Sequence, residues 1–320
     1  MKHLLDQQLE AGIHGDFEKG WEIAQLMPED DPRAQFNKGW YLLRNGKLLD
    51  GHRHLDYGRG IKCFGNHDCT SNAPLWDGHS KGVVLLNLEG GLGDQVNGVR
   101  WAKDISDRGC TVVVCCNPSL ASIFVKVEGV SAVIQHEAMG GVYHDYWYPA
   151  MSAIVALEYE YEDLKGRPYI ARTRPSSKGR VGVRWCGNPQ FEHHQHRLFP
   201  AELMFDAVRA ANCISLQKDE GSEKRPDWMK EVPLNNWKQT LSAICSCELV
   251  ISSCTSVAHM AAAVGIPTWI LVPILPYYLW ALPGKKTGYY NSVTLFRQSE
   301  YGDWTNTFKE LKDSLNNRVA

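Results

Sequence analysis

Three sets of residues in this 320-residue chain have the types and spacing to hold or move charge. The first is Thr255-Ser256-Val257-Ala258-His259, which follows the apolar run Leu249-Val250-Ile251 and the pair Ser252-Ser253. Val257, Met260, Ala261 and Val264 then fall at the spacing of one buried helix face, and Gly265 and Pro267 end the pattern. A strand that enters a helix through a Thr-Ser turn presents free N–H groups at the positive end of the helix dipole, where an anion can bind. The same hydroxyls also serve as plain N-caps, and His259 as a packed histidine. The second set is Gly90-Gly91-Leu92-Gly93-Asp94, which puts a carboxylate at a helix start beside glycines that admit close backbone approach. Asp94 alternatively only caps its own helix. The third is Arg197, just ahead of Leu198-Phe199-Pro200 and a helix, where a guanidinium can meet an anion through two parallel N–H groups.

Other chemistries fit less well. After Gly91 and Gly93 a dinucleotide fingerprint would need its third glycine at Val96, and no Gly-Lys-Ser/Thr follows to make a phosphate loop. A dehydrogenase is therefore a weak reading. His193, His194 and His196 crowd one loop without helical pairing or a carboxylate at ligand spacing, so they read as solvated and no metal is expected.

The elements that must position these groups alternate strand and helix. An apolar run over 82–88 leads into the glycine turn and a helix through Arg108, and Thr111 to Cys116 forms the next strand. Runs at 132–134 and around 146–156 continue this first α/β unit, and the polar stretch 172–179 ends it. In the second unit strands are expected at 181–185, 213–216, 249–252, 268–272 and 293–296, with helices at 200–211, 237–246, 256–264 and 304–317. Two such Rossmann-like, doubly wound parallel sheets in tandem are expected to enclose a cleft lined by the carboxyl ends of their strands.

Residues 1 to about 60 read as helical, with Gly15-Asp16-Phe17-Glu18-Lys19-Gly20 recurring loosely as Gly46-Lys47-Leu48-Leu49-Asp50-Gly51, an offset of 46 − 15 = 31. That is near the period of tetratricopeptide helix pairs, though a plain helical extension fits equally. Residues 61–80 are turn-rich and read as a linker. The expected division is a helical segment over 1–75, a first Rossmann-like domain over 76–175 and a second over 176–320, whose last helix could return to the first.

Composition bounds the rest. The formal net charge of −2 gives no global basic field that would announce a nucleic acid. The first twenty residues lack a signal peptide's apolar core, and no run is long enough to span a bilayer. The ten cysteines sit in apolar contexts without CxxC spacing, which suits reduced, buried thiols in a cytoplasmic protein.

Taken in order, Pro74-Leu75-Trp76-Asp77-Gly78, Glu89 to Asp94, Val183-Arg184-Trp185-Cys186-Gly187-Asn188-Pro189, Ser215-Leu216-Gln217 and Thr255 to His259 resemble tetratricopeptide-containing, heptosyltransferase-like (family 9) glycosyltransferases. The resemblance runs from about Phe17 to Trp304. It implies the GT-B architecture and transfer of a sugar from a nucleotide-diphosphate donor to an acceptor hydroxyl, inverting and without a metal or other cofactor. It puts Asp94 at the general base, Arg197 at the position that contacts the donor phosphates, and Thr255, Ser256 and His259 at the diphosphate site. Val257, Trp185, Asn188 and Gln217 would complete the donor side, and Gly91, Leu92, Gly93 and Gln95 the acceptor-side loop. A glycan, lipid-linked sugar, protein or hydroxylated nucleobase could be the acceptor.

The chain departs from that pattern at Cys254, where the family has Asp, and at Trp237-Lys238-Gln239-Thr240, where it commonly has an acid. A non-catalytic module of the same fold, recruiting a protein or glycan partner, is the alternative. The aromatic stretch around Pro276-Tyr277-Tyr278-Leu279 and Trp280 to Tyr290 suits either a pocket wall or core packing.

Overall fold

The computed structural model describes residues 2–64, 71–190 and 194–319. His193 and residues 65–70 of the expected linker lie outside them. The chain opens with two helical hairpins, α1 (Lys2–Ile13) with α2 (Phe17–Leu26), and α3 (Pro32–Arg44) with α4 (Leu48–Leu55). Their turns repeat atom for atom at the 31-residue offset. Gly15 and Gly46 both have φ +78°, and the N–H groups of Asp16 and Lys47 bond Ala11 O and Leu42 O, each at 2.9 Å. A side chain with a Cβ would strain at that φ, which is why glycine stands at both turns.

The hairpins do not form one segment. The chain divides into two compact units, Pro28–Ala171 on one side and Met1–Met27 with Arg172–Ala320 on the other, so each unit carries one hairpin.

In the first of these units, β1 (Val83–Asn87), β2 (Thr111–Cys115), β3 (Val130–Ile134) and β4 (Tyr146–Pro149) form a parallel sheet in the order β3-β2-β1-β4. Chain direction across the sheet reverses between β1 and β4, the kind of position where open α/β sheets bind ligands beyond the strand ends. The single helix expected up to Arg108 is two, α5 (Leu92–Gly98) and α6 (Trp101–Asp107). They part where Arg100 Nε donates to Asn97 O at 3.1 Å, the carbonyl that the next helical turn would have used. Helices α7 (Pro118–Phe124) and α8 (Ala153–Leu157) complete the unit.

Its hairpin is joined to the sheet by buried polar contacts. His52 on α4 is buried, with Nδ1 3.0 Å from Met151 O, and burial lowers its pKa to about 4. Between about pH 6.5 and about 4 the unfolded chain therefore binds a proton that the folded one does not, and stability must decline as pH falls through that window. Urea unfolding across that range should show a loss of up to about 3 kcal/mol. His52→Gln should flatten the slope, and an equally steep slope in that variant would assign it to another group.

The other unit is built on β5 (Arg180–Arg184), β6 (Asn212–Ser215), β7 (Leu249–Ser253), β8 (Thr268–Val272) and β9 (Val293–Arg297). All are parallel, in the order β6-β5-β7-β8-β9, with the reversal between β5 and β7. Helices α9 (Ala201–Val208), α10 (Trp237–Cys245), α11 (Ser256–Val264) and α12 (Thr305–Val319) connect and cover it. The last helix stays with this unit, packing on α9 and β9, with Phe308, Leu311 and Leu315 in the core beside Met204 and Val208.

The sequence implied one buried face on α11, but every residue from Val257 to Val264 is buried. The sheet and α10 cover it from two sides, and the segment around Trp280, Tyr290 and Ser292 closes the rest. A helix that is apolar all round needs such a surround.

Candidate functional site

At the reversal of the five-stranded sheet the carboxyl ends of β5 and β7 lie side by side, with Arg184 paired to Ser252. Two turns leave these ends, one running from Trp185 to Gln190 and the other through Cys254 into α11. Arg197 ties them together. Its Nη1 donates to Cys254 O at 2.8 Å and its Nη2 to Asn188 O at 2.9 Å. The guanidinium lies against Gly187, where a Cβ would come within 2.6 Å of Nη2 and 2.7 Å of Cζ, so only glycine leaves it that space. Burial lowers the Arg197 pKa from its ordinary value.

The start of α11 faces the same turns. Thr255 is the N-cap residue, but its side chain makes no capping bond; its Oγ1 instead meets Ser252 Oγ at 3.1 Å. Within the turn the N–H groups of Ala258 and His259 reach Thr255 O at 3.0 and 3.3 Å. No described acceptor takes the N–H of Ser256 or Val257. The helix start thus offers two donors and its dipole, which suits an anion. Two buried polar atoms near these strand ends, Ser253 Oγ and Arg184 Nε, also have no hydrogen-bond partner among the described residues. Arg184 is 7% exposed, donates to Leu216 O at 3.1 Å and stands 3.5 Å from Asp219.

The remaining donor-side residues hold the turns. Trp185 is buried, donates its indole N–H to Gly221 O at 3.0 Å and packs edge-on against Phe205. Gln217 Oε1 accepts from the N–H groups of Trp185 and Cys186 at 3.2 and 3.0 Å, and its Nε2 donates to Glu220 O at 2.8 Å. Both side chains are occupied within the protein. Asn188 is exposed, and its Oδ1 accepts from Gln190 N–H at 3.0 Å.

His259 lies inside α11 rather than at its start. It is stacked on Trp280, with Nδ1 3.0 Å from Tyr290 Oη. Trp280, Tyr289 and Tyr290 are each 1% exposed, so these rings form core. Trp280 Nε1 also donates to Cys254 Sγ at 3.0 Å, which gives this buried cysteine an acceptor's role at the turn. In the histidine-rich loop, His196 Nδ1 lies 3.2 Å from Tyr301 Oη, and His194 has its pKa lowered by burial and then by Arg197. Among the described residues no group of three or more His, Cys, Asp or Glu is placed to hold a metal ion.

In the four-stranded unit the glycine turn leaves β1 at the reversal. Asp94 is half-buried and its Oδ2 accepts the Gly91 N–H at 2.8 Å, so it caps its own helix. Gly91 is exposed, Leu92 and Gly93 are half-buried, and buried Gln95 accepts the Asn117 N–H at 2.8 Å, tying this turn to the one after β2. The side chain of Glu89 is held in a fork by Arg59, Nε to Oε1 at 2.8 Å and Nη2 to Oε2 at 2.7 Å.

The sequence pointed to Ser253 only as one of a run of hydroxyls, and gave Arg184 and Arg59 no role of their own. For the first two the signal was there: a charge and a hydroxyl at the ends of strands that are otherwise buried. Arg59 carried no such mark, because its partner Glu89 lies 30 residues on.

No protein-family model and no curated protein matches the chain. Among solved structures it is similar to the ADP-heptose LPS heptosyltransferase II of E. coli, at 12% identity and a TM-score of 0.47, over 74% of this chain and 99% of that one. It is also similar to a mutant O-GlcNAc transferase of Thermobaculum terrenum, at 11% identity and a TM-score of 0.32, over 97% of this chain and 84% of that one. Among the described residues no helix is long and apolar enough to cross a membrane.

Proposed function

We propose that this chain is a glycosyltransferase of GT-B architecture that takes a sugar from a nucleoside-diphosphate donor and passes it to an acceptor hydroxyl. The observation that carries the reading is the arrangement at the β5–β7 reversal, where Arg197 adjoins a helix start whose first two N–H groups have no acceptor among the described residues. A departing diphosphate needs such fixed positive charge as its bond to the sugar breaks, and an arginine with a helix dipole supplies it without a bound cation. Arg184 adds a second buried cation near these strand ends. Asp94, in the glycine turn after β1, is the base that takes the acceptor's proton. Attack by that hydroxyl opposite the departing diphosphate inverts the anomeric carbon.

The test is calorimetric titration with a panel of nucleoside diphosphates, followed by turnover with the sugar forms of those that bind. Replacing Thr255 and Ser256 together by Ala should weaken diphosphate binding by about 1–3 kcal/mol through altered packing and lost hydroxyl contacts. Unchanged affinity would remove the two hydroxyls from the site and leave the turn only its Ser256 and Val257 N–H groups. The second reading, a non-catalytic binding module, is favoured by Asp94 Oδ2 being engaged with its own helix. Donor hydrolysis separates the two, since a binding module turns over none of the panel.

A further inference from the structure

The four-stranded unit contains a half-buried charge network that the proposed chemistry does not use. Glu89, 5% exposed, directly follows β1 and Leu88 and precedes the Gly90-Gly91 turn. Both its oxygens are held by Arg59, whose Nη1 also donates to Asp56 Oδ1 at 2.9 Å. Asp56 in turn accepts from the hydroxyl of Ser152, a residue 1% exposed in the segment that leaves β4. Arg59 also lies over the Phe64 ring at 5.4 Å, and Phe64 O accepts the Gly90 N–H at 3.1 Å. One arginine therefore joins the end of the helical hairpin to the turn after β1, while its Asp56 partner joins it to the segment after β4. These two strands flank the reversal of the sheet.

We propose that Arg59 is the positioning residue of the Gly90–Asp94 turn, fixing through Glu89 where Asp94 stands when an acceptor binds. The proposal rests on the transferase reading for its effect on turnover, but the link between Arg59 and the turn stands by itself. The Gly91 N–H fixes the Asp94 carboxylate within its own turn, but a turn that opens on two glycines is not thereby fixed against the sheet. Anchored one residue earlier by a forked ion pair, the turn starts from a fixed point, and the helical hairpin becomes part of the acceptor-side site. A lysine cannot reproduce the fork, because its ammonium is a single point charge.

Removing Arg59 alone leaves the buried Glu89 carboxylate uncompensated and risks unfolding. The decisive variant is therefore the neutral double substitution Arg59→Met with Glu89→Gln, compared with Arg59→Lys and the parent. Two measurements are made on the full chain: amide hydrogen exchange over residues 88–95, and kcat against KM for donor and acceptor. In the double variant exchange in the turn should quicken at least tenfold while the β2 amides keep their protection. The kcat should fall at least tenfold with the donor KM unchanged. Arg59→Lys should fall between it and the parent. Unchanged exchange in a folded double variant overturns the proposal, as does a loosened turn with parental kcat. If the parent turns over no donor while the variant's turn loosens, the link to the turn is upheld and the transferase reading fails.

Discussion

Asp94→Asn should abolish transfer while leaving the fold and donor binding as they are. The two substitutions at this position separate its two roles. The Asp94 carboxylate accepts the Gly91 N–H at 2.8 Å, so part of its worth is the start of α5. Asn keeps an acceptor oxygen at the same reach and keeps the cap, but it cannot take a proton from a hydroxyl. Asp94→Ala loses both. A general base contributes about 10²- to 10⁴-fold to such a step, so kcat should fall by that factor in both variants. Stability should fall only in Asp94→Ala, by about 1 kcal/mol for the lost hydrogen bond. Turnover by Asp94→Asn within a few-fold of the parent would show that Asp94 is a cap alone, and that another group takes the acceptor's proton. Loss in Asp94→Ala with full activity in Asp94→Asn would say the same more sharply, because geometry rather than basicity would then be what the position supplies.

Much of the frame behind these roles was legible because strand and helix here announce themselves by composition. Leu249 to Ser253 and Thr268 to Val272 are continuous runs buried at every position, and Pro267 and Pro273 bound the second. The end of α11 at Gly265 follows from capping chemistry, and its start at Ser256 falls where the pattern puts it although the Thr255 side chain makes no capping bond. The matching hairpin turns were also visible in outline, as Gly15 and Gly46 thirty-one residues apart.

What stayed hidden depends on contacts between distant residues. The family resemblance put Trp185 and Gln217 on the donor side. Only the approach of Gly221 and Glu220 shows that one anchors its indole and the other ties two backbone N–H groups. His259 follows the helix start closely enough in sequence to suggest an anion contact, yet a position four residues from Thr255 is a full turn up the helix, where it meets Trp280 and Tyr290. The break between α5 and α6 likewise rests on a side chain turning back on its own backbone at Arg100, which no periodicity records.

Arg197 carries the second large effect, on donor binding. Its two terminal nitrogens hold Asn188 O and Cys254 O, so it sets the spacing of the turns as well as adding charge. Arg197→Met should raise the dissociation constant for a nucleoside diphosphate by roughly 10- to 150-fold, the equivalent of about 1.5–3 kcal/mol for hydrogen bonds to charge. Arg197→Lys should recover only part of this, since an ammonium cannot span two carbonyls and an anion in one plane. Gly187→Ala approaches the same point from the other side. Its new methyl would press on the guanidinium, which is the far end of a flexible side chain, so the arginine gives way at little cost to folding. That variant should unfold at nearly the parental urea concentration yet bind the diphosphate several-fold more weakly. Parental affinity in both Gly187→Ala and Arg197→Met would mean that Arg197 only braces the turns, and the anion site would then have to rest on the α11 start and Arg184.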